Sequence, residues 1–130
     1  MFDRKTLLAK LDVGDIFHAE SPSGASLICL VLSVDQATIK ARRVTTQESL
    51  EFDRRTGVTV DDDEGAPCVI DSVAPLPAEI HNVFLELDQK YQKYRPDRDP
   101  EQYKLTDAEK KALLFVGSHF ASNPLASPVP

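Results

Sequence analysis

Two pairs of arginines lie in the stretch RRVTTQESLEFDRRTG, residues 42–57, and cations of this kind bind phosphate groups. Together with the lysine two residues before the stretch, they form one candidate nucleic-acid-binding face: Lys40, Arg42, Arg43, Arg54 and Arg55. A small barrel that bound single-stranded nucleic acid would also expose an aromatic side chain for base stacking, and Phe17 or Phe52 would serve. Phosphate binding is therefore the first chemistry to weigh.

The acids beside these arginines support a competing interpretation, in which the sheet compensates its own charges. If the strands on either side of residues 45–46 pair as a hairpin with their apolar residues on one face, Lys40 stands opposite Glu51. On the same register Arg43 stands opposite Glu48. The hairpin and the turn after it carry five basic and three acidic residues. We therefore favour a solvated sheet face with paired charges over a phosphate site.

The same hairpin has one irregularity in its apolar pattern. Alternation that turns Ala41 inward would also turn Arg43 inward, whereas Val44 is the apolar residue at the end of the strand. We therefore predict a β-bulge near Arg42 and Arg43, which would re-aim one guanidinium group. Bulges occur beside functional sites and at plain sheet edges, so the pattern leaves both roles open.

Metal chemistry has little support in the spacing of the possible ligands. The histidines His18, His81 and His119 lie in separate predicted elements, and none has a partner at i, i+4. A zinc site would have to combine His81 and His119 with Cys68. The acidic run DDDEG, residues 61–65, lacks the ligand spacing of a calcium loop. We expect a solvated acidic turn, no metal and no cofactor.

Catalytic motifs are equally sparse. The one serine-rich turn, SPSGAS at residues 21–26, is not a GxSxG elbow, and no Walker or GxGxxG loop is present. Cys29 lies in a strand that is apolar on both faces, where burial should raise the pKa of its thiol and make it inert. We expect it and Cys68 to stay reduced. An enzyme or small-ligand binder of unknown class remains a secondary alternative, and we lean against catalysis.

The elements that hold these residues indicate an α+β fold. Apolar alternation predicts a small antiparallel β-barrel or curved sheet of five to six strands, SH3-like in strand number and length. A short helix in DRKTLLAKL precedes it. The expected strands lie in DIFHAE, ASLICLVLSV, ATIKARRV, SLEFD, GVTV and CVIDSV. Because ASLICLVLSV is apolar on both faces, it must be covered on both sides.

Two helices are expected after Pro75, where the apolar period changes. The first carries a stripe at helical spacing: Ile80, Val83, Phe84, Leu87, Tyr91 and Tyr94. The second begins at a capping box, Thr106 to Glu109, and runs to about Ser122. We predict one domain over residues 1–122, with the sheet at 12–75, a helical extension packed on it at 77–122, and a flexible tail at 123–130.

The second of these helices is more apolar than one docking face requires, so part of it should contact a second surface. That surface is either the preceding helix or another protein chain. Tyrosines near the linker between the helices are of a type that interfaces favour. The predicted partner-binding residues are Tyr91, Tyr94, Tyr103, Leu114 and Phe115.

Composition limits the remaining choices. The net charge of -6 and a pI near 5.0 argue against nucleic acid as the main partner. No apolar run is long enough to span a bilayer, so we expect no membrane contact and a cytoplasmic location. The leading hypothesis is a non-catalytic interaction or adaptor module that binds a protein partner or itself through its C-terminal helices. Nucleic-acid binding by the small barrel is the alternative.

Overall fold

The computed structural model describes residues 4–60, 68–94, 98 and 104–125. It has the predicted α+β architecture, in which a curled antiparallel sheet follows a short helix and precedes two longer helices. The elements are α1 (Arg4–Ala9), β1 (Ile16–Glu20), β2 (Ser26–Val34), β3 (Thr38–Arg43), β4 (Ser49–Asp53), β5 (Val69–Ser72), α2 (Ala78–Lys93) and α3 (Asp107–Ala121).

The sheet is a five-stranded half-barrel with the spatial order β4-β3-β2-β1-β5. The predicted strand GVTV, residues 57–60, forms only isolated bridges between the two edges of the sheet. On one side the Val60 N–H donates to the Glu51 carbonyl in β4, at 3.0 Å. On the other side the Thr59 N–H donates to the Cys68 carbonyl next to β5, also at 3.0 Å. This segment therefore links the two edge strands.

The predicted bulge near Arg42 and Arg43 is wrong. β3 pairs with β4 in an unbroken register, and the shift lies instead in the neighbouring strand β2, at Leu32. Val44 follows the normal alternation and points to the outer face of the sheet, where it is fully buried. The prediction failed because it assumed that only one face of the sheet is covered, whereas helices cover the other.

The inner face of the curled sheet encloses the first apolar core. α1 and the residues just after it close this core with Leu8 and Leu11. At its centre Phe17 and Phe52 pack edge to face, with ring centroids 5.3 Å apart. Burial of aromatic pairs of this kind stabilises a small domain by both area and ring geometry. The inner core therefore uses the two aromatic residues that the nucleic-acid alternative would place on the surface.

The outer face of the sheet carries a second apolar core beneath the two long helices. Ile16, Leu30 and Val44 come from the sheet and the loop after β3. α2 and α3 supply the opposing residues, chiefly Phe84, Leu87, Ala112, Val116 and Phe120. β2 is thus covered on both sides over most of its length, as its sequence predicted.

The first residues after α3 lie against β5. Ser72 Oγ donates to the Asn123 carbonyl at 2.7 Å, and the Leu125 N–H donates to the Asp71 carbonyl at 2.7 Å. Leu125 also packs against the inner core. Residues 123–125, which the sequence assigned to a flexible tail, are therefore held in place, and residues 126–130 lie outside the described part of the chain.

Candidate functional site

Arg42 is paired with the second helix and not with an acid on the neighbouring strand. Its Nε donates to Asp88 Oδ1 at 2.9 Å, and its Nη2 donates to Asp88 Oδ2 at 2.5 Å. Asp88 lies on α2 and is buried. A bidentate pair of this geometry fixes both side chains. Arg42 therefore ties β3 to α2 and is not available to a phosphate.

The Asp88 carboxylate is also held by two glutamines. Gln47 Nε2 donates to Oδ1 and Gln92 Nε2 donates to Oδ2, each at 2.9 Å. Burial alone would raise the pKa of Asp88, but the hydrogen bonds from Arg42, Gln47 and Gln92 and the charge of Arg42 outweigh it and lower the pKa. The group is a satisfied structural network.

The guanidinium groups of Arg54 and Arg43 bind backbone carbonyls. Arg54 donates to three of them, in the β2–β3 turn and around the end of α1: those of Asp35, Ala9 and Leu11, at 2.7, 2.9 and 3.0 Å. Arg43 donates more weakly to the Ser26 carbonyl, at 3.3 Å. Both side chains hold neighbouring segments together.

The remaining two cations, Lys40 and Arg55, are exposed. Lys40 faces Glu51 in the predicted register, yet in the described residues no ion pair joins the two side chains. The same is true of Arg43 and Glu48, which share only a backbone hydrogen bond of 2.8 Å. The predicted strand-to-strand ion pairs are therefore wrong, although most of the arginines are indeed occupied.

These positions do not form one cationic face. Lys40 and Arg42 point to the outer side of β3, Arg43 points to the inner side, and Arg54 and Arg55 lie in the turn after β4. Phe17 and Phe52, the proposed stacking residues, have no exposed surface. The structure thus gathers neither the cations nor the aromatics that the alternative hypothesis would use.

The five predicted partner-binding residues divide sharply by exposure. Tyr91 is buried in the outer core, and Tyr94 is half-buried at the C-terminal end of α2. Tyr103 lies outside the described residues. Leu114 and Phe115, which are adjacent in α3, are 79% and 39% exposed. Only these two form a surface that another molecule could contact.

The exposed side of α3 is distinct from the side that packs on the sheet. Ala112, Val116 and Phe120 face the outer core. The exposed residues that follow Leu114 and Phe115 are small, and Gly117 has open space where a side chain would lie, whereas Lys110 and Lys111 are exposed one turn before them. Phe115 stacks on His119, with ring centroids 5.5 Å apart. We call this exposed side of α3, comprising Leu114, Phe115, Gly117, Ser118 and Ala121, the α3 outer face.

A pair that sequence reasoning missed lies at the end of this face. His18 Nδ1 and Asp71 Oδ1 are 2.5 Å apart. Asp71 is an extra residue in β5, because its neighbours Ile70 and Ser72 pair with consecutive residues of β1. The resulting bulge turns the Asp71 carboxylate towards the imidazole. No local sequence signal reveals this contact, since the two residues are 53 positions apart.

A pocket of about 300 Å³ adjoins the pair. The sheet contributes His18, Ser26 and Asp71, and α3 contributes Gly117, Phe120 and Ala121. A carboxylate only accepts hydrogen bonds, so His18 Nδ1 carries the proton in the contact with Asp71. Ser26 and His18, both within the described residues, share no hydrogen bond, so the contact between a nucleophile and its base is not formed.

Metal binding and membrane spanning have no support in the described part of the chain. No cluster of three or more histidine, cysteine or acidic residues there could hold a metal ion. The acidic run at residues 61–65 lies outside the described ranges. Among the helices described, none combines the length and the apolar character needed to cross a membrane.

Comparisons with protein-family models, with curated proteins and with solved structures return no match to this chain.

Proposed function

We propose that this protein is a non-catalytic interaction module of the cytoplasm that binds a protein partner, or a second copy of itself, through the α3 outer face. The observation that supports the proposal is the exposure of Leu114, 79%, beside the partly exposed Phe115 on a helix whose other side is already buried. Full burial of a leucine or phenylalanine side chain contributes about 1.5–3 kcal/mol. Burial of both side chains against a partner would therefore favour association.

The helix that presents these residues is held rigidly. Thr106 and Glu109 form a complete capping box at its first turn. Lys90 of α2 donates to the Glu109 carboxylate at 2.9 Å, so a hydrogen bond also joins the two helices at this point. A preorganised surface loses little conformational entropy when a partner binds. The arrangement therefore suits α3 to recognition.

Site-specific photo-crosslinking tests the proposal for either kind of partner. A benzophenone amino acid is placed at position 114 in the protein expressed in its native host, and in a control at position 13, where Val13 is 60% exposed in the turn before β1. We expect adducts from position 114 and none from position 13. The absence of adducts at position 114, with the protein folded and expressed, would contradict the proposal.

Light scattering at micromolar concentration separates the two kinds of partner. A homodimer that becomes monomeric in Phe115→Glu and not in Val13→Glu would identify a second copy as the partner. A wild-type monomer that still yields adducts from position 114 would identify a different protein.

A further inference from the structure

We propose that the pocket between His18, Asp71 and the last turns of α3 receives a basic side chain, the ammonium group of a lysine or the guanidinium group of an arginine, from the protein that docks on α3. The inference rests on the proposed function and adds the chemistry of the partner. It is carried by the hydrogen-bonding groups, the charge and the shape of the pocket.

Two polar atoms at the pocket, one on His18 and one on Asp71, are open to a ligand. His18 Nε2 has no hydrogen-bond partner within the described residues, and solvent can reach it. Asp71 Oδ2 likewise accepts no hydrogen bond from the described part of the chain, and the Asp71 side chain is 37% exposed. A ligand that complements the Asp71 carboxylate must bring N–H donors. Ammonium and guanidinium groups have this property.

Of the described residues that line the pocket only Asp71 is an anion, and Arg43 lies at the border, where it donates to the Ser26 carbonyl at 3.3 Å. Asp71 is negative, and Glu20, two residues beyond His18, lies on the same face of β1. The pocket also faces the C-terminal turns of α3, where the helix dipole is negative. His18 is within hydrogen-bonding distance of Asp71 Oδ1, and the Asp71 charge also acts on Arg4. Asp71 Oδ2 is the oxygen that a ligand could contact.

The apolar wall of the pocket suits the stem of a basic side chain. The Phe120 ring lies 5.6 Å from the His18 ring, centroid to centroid, and borders the cavity. Aromatic rings attract cations, and the methylene groups of lysine and arginine pack on such surfaces. At about 300 Å³ the pocket is at the lower limit for ligand sites, which range from about 300 to 1,000 Å³. One side chain fits this size better than a large cofactor does.

The pocket continues the α3 outer face. Gly117 and Ala121 border the pocket and follow Leu114 at i+3 and i+7, on the same side of the helix. Seven helical residues span about 10 Å, which is about three residues of an extended chain. A partner segment in the polyproline II conformation, in which every third side chain points the same way, would therefore place an apolar residue on Leu114 and a basic residue in the pocket three positions apart.

A fragment titration followed by NMR chemical shifts of the backbone amides tests the pocket alone. The probes are Nα-acetyl-lysine amide, Nα-acetyl-arginine amide, the neutral Nα-acetyl-norleucine amide and inorganic phosphate. We expect the two cations to shift the amides of His18, Asp71 and Ala121 in a saturable way. The neutral amide and phosphate should not. Shifts caused by phosphate in preference to the cations would overturn the proposal.

Two variants locate the binding. Asp71→Asn keeps the shape of the side chain and removes its charge, and we expect at least about tenfold weaker binding of the cations. Glu86→Gln, which removes an exposed charge on α2, is the control and should leave binding unchanged. Gly117→Leu fills the border of the pocket without touching Asp71 and should abolish binding even if Asp71→Asn folds poorly. Wild-type affinity in Gly117→Leu, or in a folded Asp71→Asn, would overturn the proposal.

The outcome is separable from that of the proposed function. Failure of the cations to bind, with adducts still formed from position 114, would refute the pocket and leave the docking face. Cation binding without adducts would refute the docking face, and with it the partner as the source of the cation.

Discussion

At the scale of single residues, Asp88 is the polar side chain whose substitution should lower stability most. Its carboxylate is buried, and it accepts hydrogen bonds from Arg42, Gln47 and Gln92. A buried charge is tolerated only while its partners remain, because desolvation of an unpaired ion costs several kcal/mol. The network therefore stabilises the packing of α2 on the sheet only as long as it stays complete.

Asp88→Asn should lower the free energy of unfolding by about 2–3 kcal/mol, because the Arg42 guanidinium would remain partly buried without its counter-charge. Urea denaturation measures the effect. Glu86→Gln, on the exposed side of the same helix, is the control and should change stability by less than about 0.5 kcal/mol. Equal stability of the two variants would show that the Asp88 network contributes nothing.

The same carboxylate gives the stability a defined dependence on pH. Burial alone would raise its pKa, but the hydrogen bonds and the charge of Arg42 prevail and hold the pKa below the ordinary value. The unfolded chain therefore binds the proton first as pH falls. Stability from this group is present at neutral pH, declines once the pH falls below about 4, and is lost through the folded-state pKa. Urea titrations from neutral to acid pH should show a shallower loss in Asp88→Asn than in the wild type.

The two cysteines should differ in reactivity. Burial of Cys29 raises the pKa of its thiol to about 12, whereas Cys68 is only half-buried. Because the thiolate is the reactive species, alkylation in the native state should modify Cys68 and spare Cys29 until the protein unfolds. Mass spectrometry of the alkylated protein, with Cys68→Ser as the control, measures this. Rapid native labelling in Cys68→Ser would contradict the described burial of Cys29.

At the scale of elements, the start of α3 determines how firmly the α3 outer face is presented. Thr106 Oγ1 accepts the Glu109 N–H at 3.2 Å, and Glu109 Oε1 accepts the Thr106 N–H at 2.8 Å. Glu109 Oε1 also accepts from Lys90 of α2. The cap of one helix thus doubles as its attachment to the other.

Thr106→Ala should cost about 1 kcal/mol of stability, because the Glu109 N–H in the first turn of α3 loses its acceptor, Thr106 Oγ1, and the capping box is broken. Ser118→Ala, at an exposed position of the same helix, should be neutral or slightly stabilising because alanine favours helices. Thermal unfolding followed by circular dichroism compares the two. A Thr106→Ala protein as stable as Ser118→Ala would show that the capping box contributes nothing to stability.

Local patterns were sufficient to predict the elements themselves. The capping box at Thr106 and the strand register that sets Lys40 opposite Glu51 were predicted from residue types and their alternation within short segments. The predicted strand at residues 57–60 does not form, since this segment makes only isolated bridges. The half-barrel and its helices could therefore be inferred, while the closure between its edges could not.

The interactions that decide the candidate sites are tertiary and were not predictable from spacing. Arg42 pairs with Asp88, which lies 46 positions away on a helix whose angle to the sheet is set by the outer core. The bulge that brings Asp71 to His18 depends on the curvature of the sheet. The sequence indicated that α3 has more apolar residues than one face can bury, but it left open whether the extra residues contact α2 or another chain, and in the structure Leu114 is 79% exposed.

At the scale of the whole molecule, two apolar cores account for nearly all the large buried side chains in the described residues. One core fills the curled sheet and the other joins its outer face to the helices. The α3 outer face belongs to neither. Because the folded chain already buries Val116 and Phe120 on the opposite side of α3, its stability does not depend on Leu114.

Because the α3 outer face lies outside both cores, substitutions at neighbouring positions of α3 should differ in their effect on stability. Leu114→Glu should change the free energy of unfolding by less than about 0.5 kcal/mol, because its side chain is 79% exposed in the isolated chain. Val116→Ala removes two methyl groups from the outer core and should cost about 2 kcal/mol. Urea denaturation at a concentration low enough to prevent association compares the two. A loss in Leu114→Glu as large as that in Val116→Ala would mean that the α3 outer face is part of the folded core and not a surface for a partner.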